Sequence, residues 1–152
     1  MTIQVGDEAP DFELKDNHGR PVRLSRFRGE KNVVLVFFPF AFTSVCTGEL
    51  CALRDNLPRF VNDDTQLLAL SNDSVPTLRV FGEQEGLEYP LLSDFWPHGA
   101  VSRAYGVLAE DKGCAVRGTF IIDKRGVVRW TVVNDMPDAR DLDAYTKALD
   151  TL

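Results

Sequence analysis

The residues best suited to chemistry stand close together, between Pro39 and Cys51. Thr43-Ser44-Val45-Cys46-Thr47-Gly48-Glu49-Leu50-Cys51-Ala52-Leu53-Arg54 reads as the start of a helix. Thr43 and Ser44 supply N-cap oxygens, and Leu50, Leu53 and Leu57 lie on one face. A cysteine in a first helical turn meets unpaired N–H groups and a partial positive charge. Both favour the thiolate, which is the nucleophile. An unperturbed thiol of pKa ~8.5 is only about 3% ionised at neutral pH, so a pKa near ~6 would gain roughly thirtyfold. That gain is modest. Strong catalysis also needs donors aimed at the charge that develops on the substrate.

The element that must carry this turn precedes it. Val33-Val34-Leu35-Val36-Phe37-Phe38 is an unbroken apolar run, the pattern of a strand buried on both faces. Pro39 stops it, because proline cannot donate to a sheet ladder, and Phe40-Ala41-Phe42 takes the chain over the strand end. Further along, Gln66 to Ser71 reads as a second buried strand. Val75 to Glu85 reads as a helix stopped at Gly86, Pro90 to Ser93 as a short strand or loop, and Ala100 to Tyr105 as a short helix. Pro58 predicts a break after the cysteine helix. Gly118 to Asp123 and Gly126 to Val133 form a late hairpin, and Asp138 to Leu152 a closing amphipathic helix striped by Leu142, Tyr145 and Leu149. Near the start, Glu13-Leu14-Lys15 and Val22-Arg23-Leu24 make a small hairpin whose turn leaves His18 exposed. Periodicity alone predicts an α/β fold with a mixed sheet, in a single domain over residues 1–152.

Composition narrows the function. With 152 residues and 44% apolar content the chain suits one sizeable core. A net charge of −6 and pI near 4.9 argue against nucleic acid or an anionic membrane as partner. No signal peptide and no membrane-length apolar run is visible, so a cytoplasmic location is expected. Three cysteines do not make a disulfide framework, and two distant histidines, His18 and His98, make a metal site improbable.

Pro39-x-x-x-Thr43-x-x-Cys46 resembles the active-site motif of the peroxiredoxins. Gly6-Asp7-Glu8-Ala9-Pro10-Asp11-Phe12 and Arg117-Gly118-Thr119-Phe120-Ile121-Ile122-Asp123 resemble further segments of that family, in the same order. Ser93-Asp94-Phe95-Trp96-Pro97-His98-Gly99 is similar to its alkyl hydroperoxide reductase E branch, usually described as one-cysteine enzymes. The resemblance implies a thioredoxin-like fold with an N-terminal hairpin extension and a central mixed sheet flanked by helices. It implies a thiol peroxidase that reduces hydrogen peroxide, alkyl hydroperoxides or peroxynitrite through a Cys46 sulfenic acid, with no organic or metal cofactor. The expected partners are the peroxide and a reducing thiol, either thioredoxin or a low-molecular-weight thiol with a glutaredoxin-like protein. A homodimer formed through the active-site loops is also expected.

The remaining site residues each have two readings. Thr43 is a plain N-cap or a hydroxyl that accepts from the peroxide and donates elsewhere. Arg117 precedes an apolar strand, so it is a solvated strand-end residue or the fixed cation that stabilises the thiolate and orients the peroxide. Glu49 favours the helix start or pairs with Arg117, the latter being what the resemblance implies. Pro39 shields Cys46 and performs no chemistry. Cys51 is helix packing or, at a spacing that resembles the peroxiredoxin Q type, the resolving cysteine. In an ideal helix residues five apart have Cα atoms roughly 8.6 Å apart, beyond the ~7 Å reach of a disulfide, so resolution by Cys51 requires unwinding. Cys114 reads as an exposed loop thiol. Two other functions remain: a thioredoxin-like disulfide reductase, weakened by the lack of Cys-x-x-Cys, and a non-enzymatic redox sensor or holdase.

Overall fold

The computed structural model describes residues 3–134 and 141–152. A hairpin of β1 (Glu13–Lys15) and β2 (Pro21–Arg23) is followed by a 3₁₀ turn at Leu24–Phe27 and by β3 (Asn32–Phe37). Then come α1 (Ser44–Asp55), α2 (Leu57–Phe60), β4 (Thr65–Ser71), α3 (Val75–Glu85), β5 (Leu91–Ser93) and α4 (Ala100–Ala104). The chain closes with the short pair β6 (Leu108–Ala109) and β7 (Cys114–Ala115), the hairpin β8 (Arg117–Ile122) and β9 (Val128–Asn134), and α5 (Leu142–Asp150).

Seven strands form one sheet in the order β2-β1-β5-β4-β3-β8-β9. β3 runs parallel to β4, and β4 to β5, while β8 is antiparallel to β3. The sheet is therefore mixed, as expected, with the apolar run of β3 at its centre. Side chains alternate across a strand, and here both faces are covered. Val33, Leu35 and Phe37 enter one core with Val101 and Tyr105 of the α4 region. Val34, Val36 and Phe38 enter the other, with Leu50 and Leu53 of α1, Leu78 and Phe81 of α3, and Tyr145 of α5. This double burial is why β3 shows no polar alternation.

The helix boundaries have local causes. α1 ends at Asp55, and Pro58 sits in the first turn of the separate α2, where its missing N–H costs nothing. Ser74 caps α3 by accepting from the Thr77 N–H, and Gly86 ends it with φ +64, a left-handed conformation suited to glycine. Asp141 caps α5 by accepting from the Asp143 and Ala144 N–H groups. The expected earlier start of that helix at Asp138 lies outside the described residues. The pair β6–β7 has no periodic signal, being two residues on each side, and sequence reading missed it. It forms a sheet of its own, with Leu108 opposite Ala115 and Ala109 opposite Cys114.

Candidate active site

The site is built at the end of β3. Just past β3 the Phe38 N–H donates to the Leu70 carbonyl at 3.0 Å, a typical backbone bond, and Pro39 follows, buried and without a donor. The loop 40–42 is then fixed from two sides. The Ala41 N–H donates to Asp73 Oδ2 at 2.9 Å, and Ser71 Oγ donates to the same oxygen at 2.7 Å. Phe42 adopts φ +69 and sets its ring edge-on to Phe81, with centroids 5.0 Å apart. A non-glycine residue with positive φ is uncommon, and such residues gather where a loop must take a defined path. Asp73 was not singled out from sequence. The available signal was the polar cluster Ser71-Asn72-Asp73-Ser74 at the end of β4, the strand beside β3.

Thr43 stands at the N-cap of α1 with extended φ −93 and ψ 150, yet no side chain caps this helix. The expectation that Thr43 and Ser44 supply cap oxygens is corrected: Ser44 is already the first helical residue, and the Thr43 hydroxyl donates to the Phe40 carbonyl at 2.9 Å. Committing its proton to the backbone leaves the oxygen as an acceptor, and Thr43 is exposed at the surface.

Cys46 lies in the first turn of α1 and is 0% exposed, packed in the same core cluster as Val36, Phe38 and Leu50. One turn on, Glu49 points inward and forms a hydrogen-bonded ion pair with Arg117, the first residue of β8. Both side chains are only 4% exposed. Arg117 is thus not a solvated strand-end arginine. The antiparallel pairing of β8 with β3 brings it back to the end of β3 where α1 begins, since Val36 pairs with Thr119 two residues further along β8. Gly118 is needed beside it, because a Cβ there would meet Val107 Cγ1 at 2.9 Å. Thr43, Cys46 and Glu49 thus share one helix start, which the Glu49 pair joins to Arg117 at the start of β8, and buried Pro39 precedes them at the end of β3.

The other two cysteines separate. Cys51 is partly buried on the unbroken helix α1. Burial pushes its thiol up, Arg54 opposes this, and Glu85 and Asp55 add to it. Cys114 is corrected from exposed loop thiol to a fully buried residue of β7, where the pairing with Ala109 turns it inward. Burial raises its pKa, Lys112 pulls it back, and the charges of Cys46, Asp111 and Asp73 raise it further. The segment 93–99 serves structure more than chemistry. Buried Asp94 accepts from the Val101 N–H (3.1 Å), the Ser102 N–H (2.8 Å) and Ser102 Oγ (2.9 Å), which pins the start of α4. Trp96 is 69% exposed.

The chain as a whole is similar to known proteins. The chain is 51% identical over 150 residues to alkyl hydroperoxide reductase E of Mycobacterium tuberculosis, covering 99% of this chain and 98% of that one. It is 41% identical over 160 residues to a thioredoxin peroxidase of Echinococcus granulosus, covering 99% and 81% respectively. The crystal structure of peroxidoxin BcpB from Mycobacterium tuberculosis superposes with a TM-score of 0.86 at 33% identity, over 99% of this chain and 98% of that one. A reduced 2-Cys peroxiredoxin of Plasmodium vivax superposes with a TM-score of 0.87 at 32% identity, over 96% and 80%. The profile of the AhpC/TSA family matches residues 5–131, a span that runs from the N-terminal hairpin through Cys46 to Arg117 and β8, and the chain belongs to that family.

Proposed function

We infer that this chain is a thiol-dependent peroxidase with Cys46 as its nucleophile. The observation that supports this most strongly is the buried Arg117–Glu49 pair at the helix turn that carries Cys46. A guanidinium buried there has one electrostatic use that a structural ion pair does not need: it offsets Glu49, so that a second negative charge can form three residues away. The Cys46 thiolate attacks the terminal oxygen of a hydroperoxide. An S–O bond forms, the O–O bond breaks, and the leaving oxygen takes a proton and departs as water or alcohol. Cys46 becomes a sulfenic acid. In our reading Thr43 Oγ1 accepts from the hydroperoxide O–H while its own O–H donates to the Phe40 carbonyl. In the same reading the Cys46 N–H and the Arg117 fork donate to the developing charge, the role in which fixed donors accelerate most. Burial of Cys46 keeps these interactions out of bulk water, where they would be weaker.

Hydrogen peroxide, alkyl hydroperoxides and peroxynitrite are the proposed substrates. A thioredoxin-type thiol, or a low-molecular-weight thiol with a glutaredoxin-like protein, returns Cys46 to the thiol. A reducing compartment such as the cytoplasm suits a chain with three free cysteines. The exposed apolar side chains of Phe40 and Phe42, in the loop before α1, suit a homodimer contact at the site. The test supplies peroxide with dithiothreitol, then with thioredoxin and its reductase, and follows peroxide consumption; a separate arm without thioredoxin follows insulin reduction by dithiothreitol above the enzyme-free background. Peroxide turnover without insulin reduction is expected. Insulin reduction without peroxide turnover would point to a disulfide reductase and overturn this reading.

A further inference from the structure

The peptide unit between Phe40 and Ala41 is engaged at both ends. Its N–H, on Ala41, donates to Asp73 Oδ2 at 2.9 Å. Its carbonyl, on Phe40, accepts from Thr43 Oγ1 at 2.9 Å. A carbonyl can only accept, so the Thr43 hydroxyl is the donor of this bond and its oxygen keeps lone pairs for another partner. The peptide is trans and planar, so fixing its N–H also fixes the direction of its C=O. The Asp73 carboxylate and the Thr43 hydroxyl are thus the two ends of one hydrogen-bonded chain, running carboxylate, amide, carbonyl, hydroxyl.

Asp73 is itself held from two strand ends. Ser71 Oγ donates to the same Oδ2 at 2.7 Å, the Asp73 N–H reaches Ser71 Oγ at 3.3 Å, and Ser93 Oγ donates to the Asp73 carbonyl at 2.6 Å. Ser71 ends β4 and is fully buried, and Ser93 ends β5. Both strands lie in the central sheet, with β4 directly beside β3. The loop before α1 is therefore referenced to the sheet through one carboxylate oxygen.

The Thr43 hydroxyl has a competing use. Thr43 is the N-cap of α1, and Cys46 is its third helical residue. An N-cap oxygen ordinarily accepts from the second or third N–H of the helix, here that of Val45 or Cys46. Thr43 makes no such bond. Turned towards Phe40 instead, it leaves both its own lone pairs and the Cys46 N–H for a substrate.

We propose that Asp73 is a positioning residue for the peroxidase reaction: through the Phe40–Ala41 peptide it holds the Thr43 hydroxyl as an acceptor for the hydroperoxide and keeps it from capping α1. The inference rests on the peroxidase reading, which gives Thr43 a hydroperoxide to accept from. Asp73 acts only through Thr43, by orientation and by polarisation. A charged acceptor strengthens its bond to the amide N–H, the polarised amide has a stronger acceptor carbonyl, and a hydroxyl that donates strongly accepts more strongly.

The experiment measures how fast hydrogen peroxide oxidises Cys46, by rapid quench and peptide mapping of full-length protein. Asp73→Ala and Asp73→Asn are each made in wild-type, Thr43→Ser and Thr43→Val backgrounds. Asp73→Ala should slow oxidation about tenfold in the wild-type and Thr43→Ser backgrounds, the loss of one charge-assisted hydrogen bond. In Thr43→Val, which has no hydroxyl to orient, the same substitution should change the rate by less than about twofold. Asp73→Asn keeps an oxygen acceptor but loses the charge, so its effect should be smaller, and it too should vanish with Thr43→Val. A role confined to holding the fold would slow all three backgrounds by the same factor, and that result would overturn the proposal while leaving the peroxidase reading standing. An Asp73→Ala rate within about twofold of wild type would do the same. If Asp73→Ala fails to fold, Asp73→Asn in the same backgrounds decides. A wild-type Cys46 that hydrogen peroxide leaves unmodified would sink the peroxidase reading and the proposal with it.

Discussion

Replacing Arg117 by alanine should slow the oxidation of Cys46 about 10²–10³-fold, and the size follows from the geometry. Arg117 and Glu49 are each 4% exposed, so neither charge is cancelled by bulk water. Side chains three apart on a helix stand about 5–6 Å from one another. At an effective dielectric constant near 20, two negative charges ~6 Å apart repel by about 3 kcal/mol. Without Arg117 that repulsion opposes a thiolate at Cys46 and alone costs about 10² in rate. The loss seen when a single oxyanion donor is removed, about 10²–10³ in total, sets the upper end of the range. The variant should also lose roughly 3–5 kcal/mol of stability, because Glu49 is left as an uncompensated buried charge. Adding Glu49→Gln separates the two roles. It should restore most of the stability but only part of the rate, because the fork that orients the peroxide is still absent. Rapid-quench kinetics of Cys46 modification, with chemical denaturation in parallel, measures both. A rate for Arg117→Ala within threefold of wild type would refute the reasoning, as would a double variant that recovers the full rate.

Two other outcomes are expected. Thr43→Val should slow peroxide reduction strongly while Thr43→Ser does not, and because the Thr43 side chain caps nothing, valine should leave helix content unchanged by circular dichroism. Asp123 sits at the turn of the β8–β9 hairpin. Burial raises its pKa, but the N–H groups of Val127 and Arg125, the Arg129 hydrogen bond and the Arg125 charge outweigh this, and the pKa is lowered from 3.8. A depressed carboxylate pKa contributes stability above the unfolded value and loses it as pH falls through the folded value. Asp123→Asn should therefore be less stable than wild type at neutral pH, by about 1.5–3 kcal/mol, and the gap should close below the ordinary carboxylate pKa in acid denaturation curves.

The central strand, the helix after it and the place of Cys46 in its first turn were legible because each has a strong local signature. These are an unbroken apolar run, a proline stop and a leucine stripe. Arg117 was legible only through a motif, since its burial depends on β8 pairing with β3 from far away in sequence. Thr43 was misread in part. A hydroxyl before a helix usually caps it, but here the Phe40 carbonyl competes for it, and that follows from the loop path rather than from residue type. Cys114 was misread because Asp111-Lys112-Gly113 looks like an exposed turn. Its two-residue strand pairs with Leu108–Ala109, too short a pattern for any periodicity to reveal. Asp73 was missed for a related reason. It acts on Ala41, 32 positions away, through a contact that only the parallel pairing of β3 and β4 creates.

The most direct test of the central claim is the stoichiometry of peroxide consumption in the absence of reductant, measured for wild type and for Cys46→Ser. The substitution removes the nucleophile with little change in size, and circular dichroism should be unaltered. Wild type should consume one equivalent of hydrogen peroxide per chain in a rapid burst, with the modification mapping to Cys46. Cys46→Ser should consume none on that timescale, although Cys51 and Cys114 remain. A burst retained in Cys46→Ser would contradict the account, because the chemistry would then belong to another residue.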